Sequence, residues 1–196
     1  PDRPVTWTKA FGSTPALSPD GTIKVVGTDP SVVLHDAPLA ATAADLRRGR
    51  TTPLEYVEVL EARAVGVDPE IAAFVPDGGR PEDGTDRSAA AGDRWDRARE
   101  AAAELPERYP TLPARPPLFG VPVGVKDVFH VDGFETRAGS ALPPGALAGE
   151  EASAVSRLVD AGAVVLGKTV TAEFAYFEPG PTRNPHDTAH TPGGSS

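Results

Sequence analysis

The most constraining feature of this chain is the apolar run at residues 118–125, which follows Pro116-Pro117 and ends on Lys126-Asp127. A short run of this kind, bounded by prolines, reads as a buried strand. Pro122 lies inside it and cannot donate a ladder hydrogen bond, which predicts an edge strand or an irregular one. A second unit follows. Glu150 and Glu151 suit the start of a helix, where the dipole favours negative charge. Val155, Leu158 and Val159 form an apolar stripe, and Gly162 suits the closing turn. Residues 163–166 then read as another short buried strand. Strand, helix and strand in this order point to an α/β architecture.

Helices are expected ahead of the first strand. Thr42 can cap a short one that stops near Gly49. Thr52-Pro53-Leu54-Glu55 reads as a capping box with proline at the first helical position, and Val57, Leu60 and Ala64 continue on one face. Residues 76–86 form a Gly/Pro/Asp loop. A third helix is expected over about 88–105, with Trp95, Ala98, Ala102 and Leu105 along one side and Pro106 ending it. Residues 1–36 look irregular, with Pro15, Pro19-Asp20-Gly21 and Asp29-Pro30 interrupting short apolar runs such as the one starting at Ile23. They read as an N-terminal extension lying on the main body or as a poorly ordered arm, and residues 37–196 as the main unit.

Bulk properties exclude several classes of function. Hydrophobic residues make up 39% and charged residues 24%, values that suit a globular protein. Net charge is −9 with no basic stripe, which argues against nucleic acid as a partner. No apolar stretch is long enough to span a bilayer, so no membrane partner is expected. There is no cysteine, hence no disulfide scaffold and no thiolate nucleophile. No secretion signal is visible at the N-terminus, and a cytoplasmic location is expected.

Three motif matches fail on context. Gly162-Ala-Val-Val-Leu-Gly167-Lys168-Thr169 fits the P-loop pattern letter for letter. A P-loop, however, follows a strand, and here a helix precedes Gly162 while the would-be phosphate cradle is better as a strand. His186 and His190 would share a face only on a helix, and Pro185 and Pro192 bracket them in a loop. His130, Asp132 and the serines lack the Gly-x-Ser-x-Gly elbow of a Ser-His-Asp hydrolase.

Two features hold more chemistry. Lys126 ends an apolar stretch; burial disfavours an ammonium, and a neutral lysine can act as a base. A strand-end lysine paired with Asp127 or another acid is the plainer reading of the local sequence. Pro192-Gly193-Gly194-Ser195-Ser196 combines glycines that permit unusual dihedrals with adjacent hydroxyls able to pass a proton. Alone it is equally a flexible linker.

Taken in order, several blocks are far more specific. They are Gly120-Val-Pro-Val-Gly-Val-Lys126-Asp127, Thr136-Arg-Ala-Gly-Ser140, Leu158-Val-Asp-Ala-Gly-Ala-Val-Val-Leu-Gly-Lys-Thr169, Glu173-Phe-Ala175, Thr182-Arg-Asn-Pro185 and Pro192-Gly-Gly-Ser-Ser196. This succession resembles the amidase signature family over about residues 37–196, most strongly from Leu118 onward. The resemblance implies an α/β fold, a mixed sheet wrapped by helices, of which this chain is the N-terminal part. It implies a Ser–Ser–Lys triad in which Lys126 is the base and Ser195 the middle serine, held by a cis peptide bond. Ser196 supports the network, and the nucleophilic serine and oxyanion donors lie beyond Ser196. Gly194, Ser196 and Tyr176 are the expected substrate-binding residues, although core packing is the commoner role for Tyr176 and its neighbour Phe177.

The implied activity is hydrolysis of a C–N amide bond by acyl transfer, with no metal and no organic cofactor. The implied partners are a small-molecule amide and the remainder of the polypeptide, with homodimerisation an open option. Two alternatives stand beside it: the A-type subunit of a glutamyl-tRNA amidotransferase, and a non-catalytic binding protein on the same fold. The segment from Glu173 to Arg183 looks more like the stand-alone amidases.

Overall fold

The computed structural model describes residues 39–76 and 92–196 and, ahead of them, three short strands. These strands, β1 (Ala16–Leu17), β2 (Thr22–Lys24) and β3 (Val33–His35), form an antiparallel sheet in chain order with Ile23 opposite Leu34. The irregular region expected there thus contains paired backbone. The punctuation at Pro15, Pro19-Asp20-Gly21 and Asp29-Pro30 lies outside the described residues, as do the loop after Pro76 and the expected helix start at Ser88.

Helix α1 spans Leu39–Arg48. Thr42 therefore lies inside the helix, buried, and does not cap it; Leu39, Ala40 and Ala41 are good helix formers and extend the helix by a turn. The stop at Gly49 is as expected. Gly49 adopts φ +71°. Gly49 N–H donates to Leu46 O (3.1 Å) and Arg50 N–H to Asp45 O (3.0 Å), the two bonds of a Schellman ending. Arg115 Nη1 caps the same end by donating to Leu46 O and Arg47 O at 3.0 and 3.1 Å.

Helix α2 (Pro53–Ile71) opens on the expected capping box: Glu55 N–H donates to Thr52 Oγ1 at 3.2 Å and Thr52 N–H to Glu55 Oε2 at 2.8 Å. Helix α3 (Gly92–Arg108) buries Trp95, Ala98, Ala102 and Leu105 along one side, as the spacing predicts. Pro106 does not end it. The proline removes one hydrogen bond, and Tyr109 N–H reaches Leu105 O at 2.9 Å. The Tyr109 ring then packs edge-on against Phe119, with centroids 6.3 Å apart. Burying one large apolar side chain contributes about 1.5–3 kcal/mol, so the stripe offsets the roughly 3 kcal/mol cost of a proline within a helix.

The central element is a parallel pair, β4 (Pro122–Lys126) and β5 (Val164–Thr169), connected through α4 (Ser153–Asp160). Pro122 is the first residue of β4, where a missing donor does least harm. The preceding residues form turns, with Phe119 N–H on Pro116 O and Val121 N–H on Leu118 O. Strand β5 extends past the expected 163–166 through Lys168 and Thr169, and Lys126 lies opposite Thr169. One apolar cluster joins the helices to the strands through Leu46, Val57, Trp95, Phe119, Val164 and Leu166. A second joins Val125, Val131 and Val155 of α4. Glu151 sits just ahead of α4, where its carboxylate accepts from Ser156 Oγ at 2.8 Å. Val159, expected in the buried stripe, is exposed.

Gly162, between α4 and β5, has φ +92°, and a Cβ there would lie 2.7 Å from Pro116 Cγ and 3.0 Å from Phe119 Cα. Its carbonyl accepts from Gly120 N–H at 2.8 Å, which brings the two strand entrances together. Gly162→Ala should lower the unfolding free energy by about 1–3 kcal/mol from backbone strain alone. A denaturant midpoint equal to wild type contradicts this close approach. No helix among the described residues is long and apolar enough to cross a membrane.

Candidate active site

Strands β4 and β5 run parallel and end side by side, and such strand ends are where α/β folds gather ligand sites. Lys126 is the last residue of β4. The chain leaving β5 at Thr169 forms a ledge over residues 170–172, and Ser195 and Ser196 lie against it. Ser195 O accepts from Ala172 N–H at 2.7 Å and from Thr171 Oγ1 at 2.8 Å. Ser196 Oγ donates to Val170 O at 2.9 Å and meets Thr169 Oγ1 at 3.0 Å. With its backbone fixed in this way, Ser195 presents Oγ to Lys126 Nζ in a direct hydrogen bond. The Gly194–Ser195 peptide is cis, and Gly193 has φ +93°. The structure thus brings Lys126 and Ser195 together, seats Ser196 on the neighbouring ledge, and leaves Gly194 exposed.

Asp127 is not the partner of Lys126. Successive residues of an extended chain point to opposite sides. Lys126 faces Ser195 while Asp127 turns inward, where it is 1% exposed. Its Oδ1 accepts from Lys168 Nζ at 2.7 Å, and both side chains are buried. Lys168 also donates to Thr136 Oγ1 (2.9 Å) and Glu135 O (3.2 Å). The other carboxylate oxygen faces the Arg137 and Gly139 N–H groups at 3.4 and 3.5 Å. A buried charge needs such partners. This ion pair was missed by sequence reasoning, although a lysine inside an apolar strand and an acid directly after another strand were the available signal.

The structure shows what two of the rejected motifs form. The would-be phosphate cradle is strand β5, and its lysine is committed to Asp127. His186 and His190 lie in a loop, with His190 Nδ1 on exposed Asp187 at 2.8 Å. Among the described residues no group of three His, Asp or Glu could hold a metal ion.

Tyr176 and Phe177 do not pack in the core. They are 72% and 81% exposed, with ring centroids 4.1 Å apart. Together with Phe174, Glu173 and Glu178 they line an open depression of about 420 Å³. It begins one residue after Ala172, whose N–H holds Ser195. A tight turn with Phe174 at φ 48° and Ala175 at φ 58° sets the rings outward. The aromatic content of the segment is visible in sequence; the turn that exposes it is not.

Comparison with known proteins identifies the family. The family model for Amidase matches residues 86–196. The A-type subunit of the glutamyl-tRNA(Gln) amidotransferase of Roseiflexus sp. (strain RS-1) is 34% identical over 172 residues, which cover 84% of this chain and 31% of that protein. The AtzE subunit of the 1-carboxybiuret hydrolase of Pseudomonas sp. (strain ADP) is 44% identical over 111 residues, 52% of this chain and 24% of that one. The native peptide amidase from Stenotrophomonas maltophilia superposes with a TM-score of 0.63 at 29% identity, covering 82% of this chain and 32% of that one. The chain thus spans about a third of the length of such relatives. With a family model matched over more than half of its residues and the fold shared with solved amidases, the chain belongs to the amidase signature family.

Proposed function

We propose that this chain supplies the base and the proton relay of a centre that hydrolyses a C–N amide bond in a small molecule. The observation that supports it best is the hydrogen bond between Lys126 Nζ and Ser195 Oγ, made by residues far apart in the chain. In this scheme Lys126, in its neutral form, accepts the Ser195 hydroxyl proton as Ser195 accepts one from a third serine. That serine oxygen attacks the amide carbonyl carbon. When the tetrahedral intermediate collapses, the C–N bond breaks and the relay returns the proton to the leaving amine. Water, activated by the same relay, then cleaves the acyl ester and restores the serine. The nucleophile is assigned to residues beyond Ser196, by the family resemblance. In this reading Gly194, Ser196 and Tyr176 contact the substrate. No step calls for a metal ion or organic cofactor.

A fluorophosphonate probe on the full-length protein tests this reading. The expected result is one labelled serine outside residues 1–196. No adduct, or an adduct on Ser195 or Ser196, contradicts it, and the absence of any adduct favours a binding protein on the amidase fold. A second reading, the A-type component of an amidotransferase, is favoured by the Roseiflexus relative. Co-purification with a B-type subunit supports it.

A further inference from the structure

We infer that Thr171 is a positioning residue for the relay, acting by fixing the Ser195 carbonyl; the inference rests on the proposed roles of Lys126 and Ser195. Thr171 is 1% exposed, so its side chain adopts its place through the fold and not through solvent. Its Oγ1 donates to Ser195 O at 2.8 Å, beside the Ala172 N–H that donates to the same oxygen at 2.7 Å. Two donors from adjacent residues thus converge on one carbonyl. A single donor lets a peptide swing about the bond, whereas two restrain its rotation. The orientation of the Ser195 peptide decides where Cβ and Oγ point, and Oγ must meet Lys126 Nζ.

The ledge itself is anchored. Thr171 O lies 2.6 Å from where a Cβ on Gly139 would stand, and Gly180 packs as closely on Val170 and near Thr171 O. Phe174 N–H donates to Ala138 O at 2.8 Å, and Ala138 N–H to Asp127 O at 3.0 Å. The ledge is therefore tied to the residue that follows Lys126. Both halves of the Lys126–Ser195 contact are referenced to the same short stretch of backbone. Gly193 and Gly194 are exposed, and a Cβ on Gly193 would meet nothing within 4 Å. The ledge supplies both donors to the Ser195 carbonyl. The hydroxyl on a buried threonine has no need of this particular partner for packing, since valine fills the same volume.

The test is Thr171→Val in the full-length protein, with Thr171→Ser and Thr171→Ala beside it and Lys126→Ala and Ser195→Ala as references. Turnover of a reactive anilide is the readout, with the thermal midpoint recorded for each variant. Thr171→Val should lower kcat by roughly ten- to a hundred-fold with KM within about threefold, since misplacement of a reacting group by about 1 Å has effects of this size. Thr171→Ser should recover kcat to near wild type, because it restores the donor without the methyl group. If Thr171→Val does not fold, the Ser and Ala variants decide. Serine near wild type with alanine depressed in kcat supports the role, and equal values overturn it. Thr171→Val within twofold of wild type overturns it as well. In that case inactive Lys126→Ala and Ser195→Ala variants leave the relay standing, whereas active ones remove the relay and this inference together.

Discussion

Lys126→Ala in the full-length protein should lower kcat/KM for amide turnover by roughly 10²–10⁴-fold, the usual contribution of a positioned general base. The loss is expected in kcat, because in the proposed relay Lys126 acts on the proton of Ser195, to which it is hydrogen-bonded. Lys126→Arg should not restore activity. A guanidinium is a donor with no lone pair available near neutral pH, so it can hold the Ser195 oxygen but cannot take its proton. Lys126 is half-buried and at a strand end, and alanine there removes no large apolar contact. The thermal midpoint should therefore shift little. Retention of near-wild-type turnover in Lys126→Ala removes it as the base, and a loss confined to KM assigns it to substrate binding.

The second large effect is one of stability. Lys168→Met should lower the unfolding free energy by about 3–5 kcal/mol, because it leaves the buried Asp127 carboxylate without its cation. The penalty arises from desolvation of the remaining charge. Two backbone N–H groups stay near Asp127 Oδ2, at 3.4 and 3.5 Å, too far to replace a 2.7 Å ammonium. Asp127→Asn combined with Lys168→Met should recover part of the loss, since no charge is then stranded. Denaturant unfolding of the two variants measures this, and a loss below 1 kcal/mol in Lys168→Met contradicts the pairing. The same variant separates the ion pair from the P-loop match. Lys168 in a phosphate cradle predicts lost nucleotide binding in a protein that stays stable.

The fold was most legible where periodicity and capping agree. The α3 stripe and the Thr52–Glu55 box are local, and sequence spacing specifies both. Boundaries were less legible, because tertiary packing moves them. Pro106 lies within α3 since Tyr109 continues the packing against Phe119, and Thr42 lies within α1 since good helix formers precede it. In the site, the order of the sequence blocks drew attention to Lys126 and Ser195, but the local sequence left Lys126 free to pair with Asp127. The partition of the two lysines between the two groups is a property of strand alternation and register. Val125 lies opposite Lys168, which places that lysine within reach of Asp127 and leaves Lys126 to face Ser195. Thr171 was not legible at all: a buried threonine after a strand has no sequence signature of what its hydroxyl will meet.

A relay through Lys126 and Ser195 is tested most directly by comparing kcat/KM for Lys126→Ala, Ser195→Ala and the double variant in the full-length protein. Groups that move one proton as a unit are strongly non-additive. The relay predicts that each single variant loses nearly all of the relay's contribution and that the double variant is no worse than either. Losses that multiply, or a Ser195→Ala variant with wild-type turnover, contradict a relay through the Lys126–Ser195 contact.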